Sequence, residues 1–269
     1  MKDIHPSAIV HPSCIIGENV SIGPFSVISA NVEIGDNSCL VSSVTIDSHT
    51  IIGHSNILYP GVCIGCPSQD RRSRGVPKGI TYLGNGNVLR EGVTIHAPTN
   101  SNGITIVEDN NLLLSNTHIG HDAHVGNTTT MINGSAVAGY VKVGSHAYLG
   151  GMAGVHQCVH LGEFCMIGGL SRITRDAPPY TLIEGNPAEV RALNMVGLYR
   201  AELDDSEIRA LKKAFVLLYK SDISLTNALE MKEIKTMEKQ NNLVSKLVQS
   251  IRLSIEKQGA RGIISYGKK

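Results

Sequence analysis

The segment "NTHIGHDAHVGN", residues 116–127, sets His118, His121 and His124 three residues apart and puts a carboxylate, Asp122, directly after the middle one. Imidazole titrates near neutrality, so such a cluster suits three tasks: taking a proton from a hydroxyl or amine nucleophile, ligating zinc, or standing in solvent as polar surface. Residue types alone do not separate these tasks. The companions that the chain brings beside each ring do.

The elements that position those rings are legible from periodicity. Every sixth residue from Ile4 is aliphatic: Ile4, Val10, Ile16, Ile22, Ile28, Ile34, Leu40, Ile46, Ile52, Leu58 and Ile64. The beat resumes in a shifted phase at Leu83, Leu89 and Ile95, skips once, and runs from Val107 to Ile173. A hexad of this kind makes a short strand that cannot bury its apolar residue alone, so hexads stack around a shared core as a parallel β-helix. By resemblance to the hexapeptide-repeat acyltransferases, three hexads make one left-handed triangular coil of eighteen residues. Residues eighteen apart then lie about 4.7–4.9 Å above one another, the spacing of paired strands. Steps of eighteen from His121 reach Gly139 and Gln157. One edge thereby gathers a base, an unshielded backbone amide and a carboxamide. That set suits acyl transfer, with a neutral imidazole taking a proton from the nucleophile and a glycine N–H donating to the developing oxyanion. Asp122 is placed to orient the imidazole beside it.

Two stretches leave the beat, near 66–81 and 97–105; both are rich in Pro, Gly and polar residues and read as loops thrown out from the prism. From 188 the period becomes helical, with Ile208, Leu211, Phe215 and Leu218 behind an Asp204/Asp205/Ser206 start, then Leu243, Leu247 and Ile251. The expected organisation is an all-β left-handed parallel β-helix over 1–187 followed by a C-terminal α-helical domain over 188–269.

Composition agrees with a narrow interior: aromatics are 4% of 269 residues, Trp is absent, and Gly numbers 28. A net charge of +1 gives no global attraction to nucleic acid or to an anionic membrane. No window is apolar for long enough to read as a transmembrane segment, and no signal peptide is legible, which together predict a cytoplasmic protein. The six Cys lack the density of a disulfide scaffold, and "CIGC" at 63–66 is a lone CxxC without a second pair.

Several blocks together, "NTHIGHDAHVGN", "AVAGYVKVG", "GMAGVHQCVHLGEFCMIGGLS" and "RDAPPYTLIEGNP", resemble the UDP-N-acetylglucosamine 3-O-acyltransferases of lipid A biosynthesis, the LpxA family, as do "SQD" with its basic successors and "REGVTIH". The resemblance runs through the helical tail. It implies a homotrimer with sites between adjacent prisms. It also implies transfer of an (R)-3-hydroxyacyl chain from the phosphopantetheine of acyl carrier protein to the 3-position of UDP-N-acetylglucosamine, with no metal and no bound cofactor. His121 matches the family's general base and Gly139 its oxyanion-hole residue. Gln69, Asp70, His96, His118, His156 and Gln157 match substrate contacts, and Asn194 and Arg200 match residues that hold the nucleotide. Met166 and Gly169 match positions beside the acyl tail, Gly169 being the one whose side-chain size limits its length.

The chain also departs from the family pattern. Arg72 stands where a Lys is common, so a fork replaces a point charge; with Arg71, Arg74 and Lys78 it offers a basic surface to an acidic carrier protein. Tyr140 stands where a His is frequent, Ala97 replaces a cation, and Val196 replaces an acidic nucleotide contact. These changes leave open an amino-substituted or other nucleotide sugar as acceptor. A zinc-dependent hexapeptide-repeat carbonic anhydrase, an acetyl-CoA-dependent transferase and a catalytically inert scaffold are the competing readings.

Overall fold

Most hexads of the computed structural model, which describes residues 3–75, 79–256 and 261–267, form a two-residue strand and a turn. Strands pair in parallel with those one coil away, Ser21 with Cys39 and Ile22 with Leu40. The pairs build sheets of eleven, nine and eight strands, here the first, second and third faces of a prism. The fold is a left-handed parallel β-helix followed by C-terminal helices.

The beat is the core. From Ile22 to Ile64 and from Leu83 to Ile173 every beat residue is at most 4% exposed, whereas Ile4 is 40% exposed because no coil stacks on its outer side. Burying each such side chain stabilises the prism by about 1.5–3 kcal/mol. Asparagines inside are satisfied coil to coil, whereas Thr117 Oγ1 and Ser135 Oγ are buried without a partner among the described residues. Asn56, Asn87 and Asn111 form a buried ladder: Asn56 Oδ1 accepts from the Asn87 N–H at 2.9 Å, and Asn111 Oδ1 from the Thr129 N–H at 2.7 Å.

Both interruptions of the beat are loops inserted between stacked coils. Ordinary partners are 18 residues apart; the first loop stretches this to 31 and the second to 24. Lys78 and its neighbours at 76–78 lie outside the described residues.

The hexads give way to helices through a hairpin. Thr181–Gly185 pairs antiparallel with Ala188–Leu193, and among the described residues five α-helices follow: α1 (Met195–Arg200), α2 (Asp205–Phe215), which runs on into a π-helical turn at Val216–Lys220, α3 (Leu225–Leu229), α4 (Lys232–Gln240) and α5 (Asn242–Glu256). Asp204 caps α2 by accepting from the Ser206 and Glu207 N–H groups, and Ile208, Leu211, Ala214 and Phe215 form its buried stripe. The strand at 188–193 escapes a periodicity reading because it follows neither the hexad beat nor a helical period.

Two carboxylates, buried Asp176 and partly buried Glu163, tie the helices to the last coils. Asp176, 5% exposed, accepts from the His160 N–H at 2.8 Å and from the Ser254 hydroxyl of α5 at 2.7 Å. Glu163 accepts from Tyr180 Oη and from Lys246 Nζ, the latter at 2.8 Å. Burial and the Glu163 carboxylate raise the Tyr180 phenol, which therefore stays a donor.

Candidate active site

The edge between the second and third faces carries His121, Gly139 and Gln157 on successive coils, and all three line one cleft with Gln69, Asp70, His118 and His156. Contact along that edge is close. A Cβ built on Gly139 would lie 2.2 Å from His121 Cε1 and 2.4 Å from Nε2, so only glycine lets the imidazole lie flat on the next coil. Among the described residues the Gly139 N–H donates no hydrogen bond, which leaves it available to a ligand in the cleft.

His121 is held from behind. Its Nδ1 lies 2.9 Å from Asp122 Oδ2, and the two side chains are 14% and 8% exposed. With Nδ1–H donated to the carboxylate, Nε2 carries the lone pair that accepts a proton. Asp122 sits at φ +57°, in the left-handed turn position, and is fixed in turn. Its Oδ2 accepts from the Thr99 N–H at 3.0 Å and from Thr99 Oγ1 at 2.9 Å, while its own N–H donates to Thr105 Oγ1 at 2.8 Å. Thr99 Oγ1 also lies 2.8 Å from Tyr140 Oη, and the Tyr140 ring stands edge-on to His121 at 5.2 Å. Tyr140 thus joins the site through a hydroxyl bridge.

Three histidines in one segment do not converge on one point. His121 bonds Asp122, His118 Nδ1 lies 2.8 Å from Thr94 Oγ1, and His124 Nε2 lies 2.7 Å from Glu108 Oε1. His96 packs edge-on against His118 at 5.1 Å. Burial, reinforced by His96 and His121, pulls the His118 imidazole down to about 4, and burial lowers His96 as well. Both rings are neutral at pH 7, and His96 Nδ1 is buried without a partner.

The first loop meets this cleft at its base. Asp70 caps the 3-10 turn Arg71–Ser73, and Arg72 closes back on Asp70 with Nη2 2.6 Å from Oδ2. That guanidinium pulls the carboxyl down to about 2. The Arg72 fork is therefore committed to Asp70, while its side chain remains largely exposed.

Other candidates lie elsewhere on the chain. Met166, Asn194 and Arg200 line a second cleft, against the first face and the start of the helices, together with Val196 and a stacked pair, His146 and Phe164, whose centroids are 4.4 Å apart. Asn194 caps α1, accepting from the Gly197 N–H. Gly169 is at the edge between the first and second faces, where an added Cβ would meet only Gly151, its oxygen at 3.3 Å. Ala97 is buried at 1% exposure.

Thr94, Thr99, Thr105, Arg172 and Thr174 join the first site without having been singled out by sequence. An eighteen-residue step from Gly154 finds Arg172, since the two pair directly. Nothing periodic marks Thr99, which stands in the second loop.

Residues 176–264 match the family model described as UDP N-acetylglucosamine O-acyltransferase, domain 2, and residues 4–30 and 13–48 match that of the bacterial transferase hexapeptide, six repeats. An acyl-[acyl-carrier-protein]–UDP-N-acetylglucosamine O-acyltransferase from Pseudomonas entomophila is 38% identical over 264 residues, covering 98% of this chain and 99% of the relative. One of the same name from Synechocystis is 42% identical over 187 residues, 70% of this chain and 67% of the relative. Among solved structures, LpxA from Acinetobacter baumannii superposes with a TM-score of 0.90 at 33% identity, covering 97% of this chain and 99% of that one.

Proposed function

The chain belongs to the acyl-[acyl-carrier-protein]–UDP-N-acetylglucosamine O-acyltransferase family, and we propose that it moves an (R)-3-hydroxyacyl chain from acyl carrier protein to the 3-position of UDP-N-acetylglucosamine, the first step of lipid A biosynthesis. The observation that carries this reading is the His121–Asp122 pair lying against the bare amide of Gly139.

The chemistry follows from that arrangement. His121 Nε2 takes the proton of the sugar 3-hydroxyl as its oxygen attacks the thioester carbonyl carbon. The carbonyl oxygen gains negative charge, which the Gly139 N–H stabilises. Collapse breaks the C–S bond, and the imidazolium returns its proton to the departing thiolate, so the base is regenerated. Asp122 stabilises the imidazolium and fixes the tautomer, as Thr99 and Thr105 fix Asp122. No step requires a metal, and the donor's phosphopantetheine arrives with the carrier protein. Neutral His118 acts as a hydrogen-bonding wall of the cleft, with Gln69, Asp70, His156 and Gln157, and neutral His96 backs it edge-on.

Asn194, Arg200 and Met166 are assigned to the nucleotide and the acyl tail, with Gly169 setting tail length. Met166, Asn194 and Arg200 line a cleft on a different face of the chain from the His121 cleft, which supports a complete site assembled from two neighbouring prisms of a cytoplasmic homotrimer. No helix among the described residues is long and apolar enough to cross a membrane.

Incubation of the purified protein with acyl carrier protein thioesters and a panel of UDP-sugars, followed by mass spectrometry, tests the assignment. An O-acylated UDP-N-acetylglucosamine is expected. An N-acylated product from an amino-substituted sugar nucleotide alone would reassign the acceptor, and no acylated sugar nucleotide would overturn the reading.

A further inference from the structure

The His121 edge does not end at Gln157. Gly154 pairs with Arg172 and Val155 with Ile173, which carries the turn after Ile173, with Thr174 and Arg175, over the turn that holds Gln157. Arg175 is exposed there, and Arg172 and Thr174 line the cleft itself. A third cation arrives from the far end of the chain: Arg261 Nε donates to the Gln157 carbonyl oxygen at 3.1 Å. The tail that carries it is fixed, since the Asp176 N–H donates to the Gly262 oxygen at 2.8 Å and the Ile264 N–H to the Asp176 oxygen at 2.9 Å.

These cations lack an internal counter-charge. None of Arg172, Arg175 and Arg261 makes an ion pair among the described residues. The carboxylate next in sequence, Asp176, is buried with one oxygen on the His160 N–H and the other on the Ser254 hydroxyl. The Arg261 terminal amino groups are uncommitted, as only its Nε is bonded. The end of the cleft is thus an arginine-rich mouth that calls for an external anion.

Distance selects that anion. Three coil steps separate the His121 level from the Arg175 level, about 14 Å at the strand spacing. In an extended pantetheine arm, roughly thirteen bonds link the thioester sulfur to the phosphorus, about 15 Å at the rise of an extended peptide-like chain. A thioester carbonyl at His121 and Gly139 therefore places the arm's phosphodiester at the arginines. We infer that Arg175 and Arg261, with Arg172 on the cleft wall, bind the phosphate of the acyl donor's phosphopantetheine arm, so that the donor enters along the edge from the helical end. The inference rests on the acyl-transfer reading above for the placement of the thioester. Guanidinium forks suit a phosphate because their N–H donors match its oxygens two at a time.

The test compares an (R)-3-hydroxyacyl-phosphopantetheine with the acyl-pantetheine that lacks only the phosphate. Equilibrium binding of each is measured calorimetrically on the full-length wild type, Arg175→Gln, Arg261→Gln and the double variant, with circular dichroism as the check on folding. KM for UDP-N-acetylglucosamine is measured on the same proteins. Wild type should bind the phosphorylated donor about tenfold more tightly, as expected of a charge-assisted contact. The double variant should erase that preference while binding the unphosphorylated donor as before, and Arg175→Lys should restore part of what Arg175→Gln loses. No phosphate preference in wild type, or a preference that survives in the double variant, overturns the inference. So does a variant whose only change is a raised KM for the sugar nucleotide, which would give the arginines to the UDP diphosphate. Binding needs no turnover, so a wild type that discriminates the phosphate yet acylates no sugar nucleotide would sink the transferase reading and leave the phosphate site standing.

Discussion

The α-carbon of Gly139 lies so close under the His121 imidazole that a methyl group there would sit 2.2 Å from Cε1. The proposed base and the proposed oxyanion donor are thereby packed against one another across a single coil step. Gly139→Ala should push the ring off Asp122 and lower kcat by about 10²-fold or more, the scale of losing one oxyanion donor. Circular dichroism should stay like that of wild type, because the change is confined to one edge. A kcat within threefold of wild type would separate the two residues functionally.

Thr99 bonds Asp122 and does not line the His121 cleft, so it is expected to act through Asp122. Thr99→Val removes the hydroxyl that bonds both Asp122 and Tyr140 while keeping the backbone N–H bond to Asp122. The expected outcome is a kcat about tenfold lower, in line with loss of one hydrogen bond to a charged group, with KM for both substrates unchanged. A rise in either KM without a fall in kcat would make Thr99 a binding residue instead.

The proposed sharing of the site between prisms has its own signature. Arg200→Ala should raise KM for the sugar nucleotide, since a guanidinium supplies charge-assisted bonds to phosphate or base. His121→Ala and Arg200→Ala protomers, each impaired alone, should regain activity when unfolded and refolded together, because a mixed trimer contains some clefts with both residues intact. Absence of any recovery in mixed assemblies of verified composition would place the whole site within one chain.

Gly169 offers a test of chain-length choice that leaves the fold alone. An added side chain meets only Gly151 at 3.3 Å, so Gly169→Met should fold normally and shift preference toward shorter acyl chains. Each excluded methylene forfeits about 0.8 kcal/mol. Competition between long and short acyl carrier protein thioesters checks this, and an unchanged product ratio would remove Gly169 from the acyl groove.

His118 should make the fold acid-sensitive. Its imidazole is held down to about 4 in the folded chain against 6.5 when free, so the unfolded chain takes up a proton first. Stability is complete above about pH 6.5 and falls as the pH drops toward 4, by about 1–2 kcal/mol once solvent screening is allowed for. Urea titrations of wild type and His118→Gln across that window should show a shallower loss in the variant; parallel curves would mean that the shift does not couple to folding.

What the sequence disclosed follows its periodicity. The beat residues of the prism, the stacking of His121 on Gly139 and the two loops all repeat or break a six-residue rule, so they are legible without coordinates. Handedness, the acyl-tail positions and the nucleotide residues came from family resemblance, because no spacing rule reaches across to a different face or a neighbouring prism. Thr99 was invisible for a physical reason: an aperiodic loop carries it back onto Asp122. Arg261 was equally hidden, since the chain leaves the prism at the helices and returns to Gln157 only through tertiary contacts. The Arg72 fork was expected to face a partner, and its bond to Asp70 depends on a tight 3-10 turn that the sequence does not spell out.

The assignment of His121 as base can be settled by a single comparison. Purified His121→Ala and wild type are each given the acyl carrier protein thioester and UDP-N-acetylglucosamine at saturation, and the acylated sugar nucleotide is quantified by mass spectrometry. Loss of a general base should lower turnover by about 10²–10⁴-fold while circular dichroism and substrate KM values stay near those of wild type. A well-folded His121→Ala protein that keeps more than a tenth of wild-type turnover would contradict it.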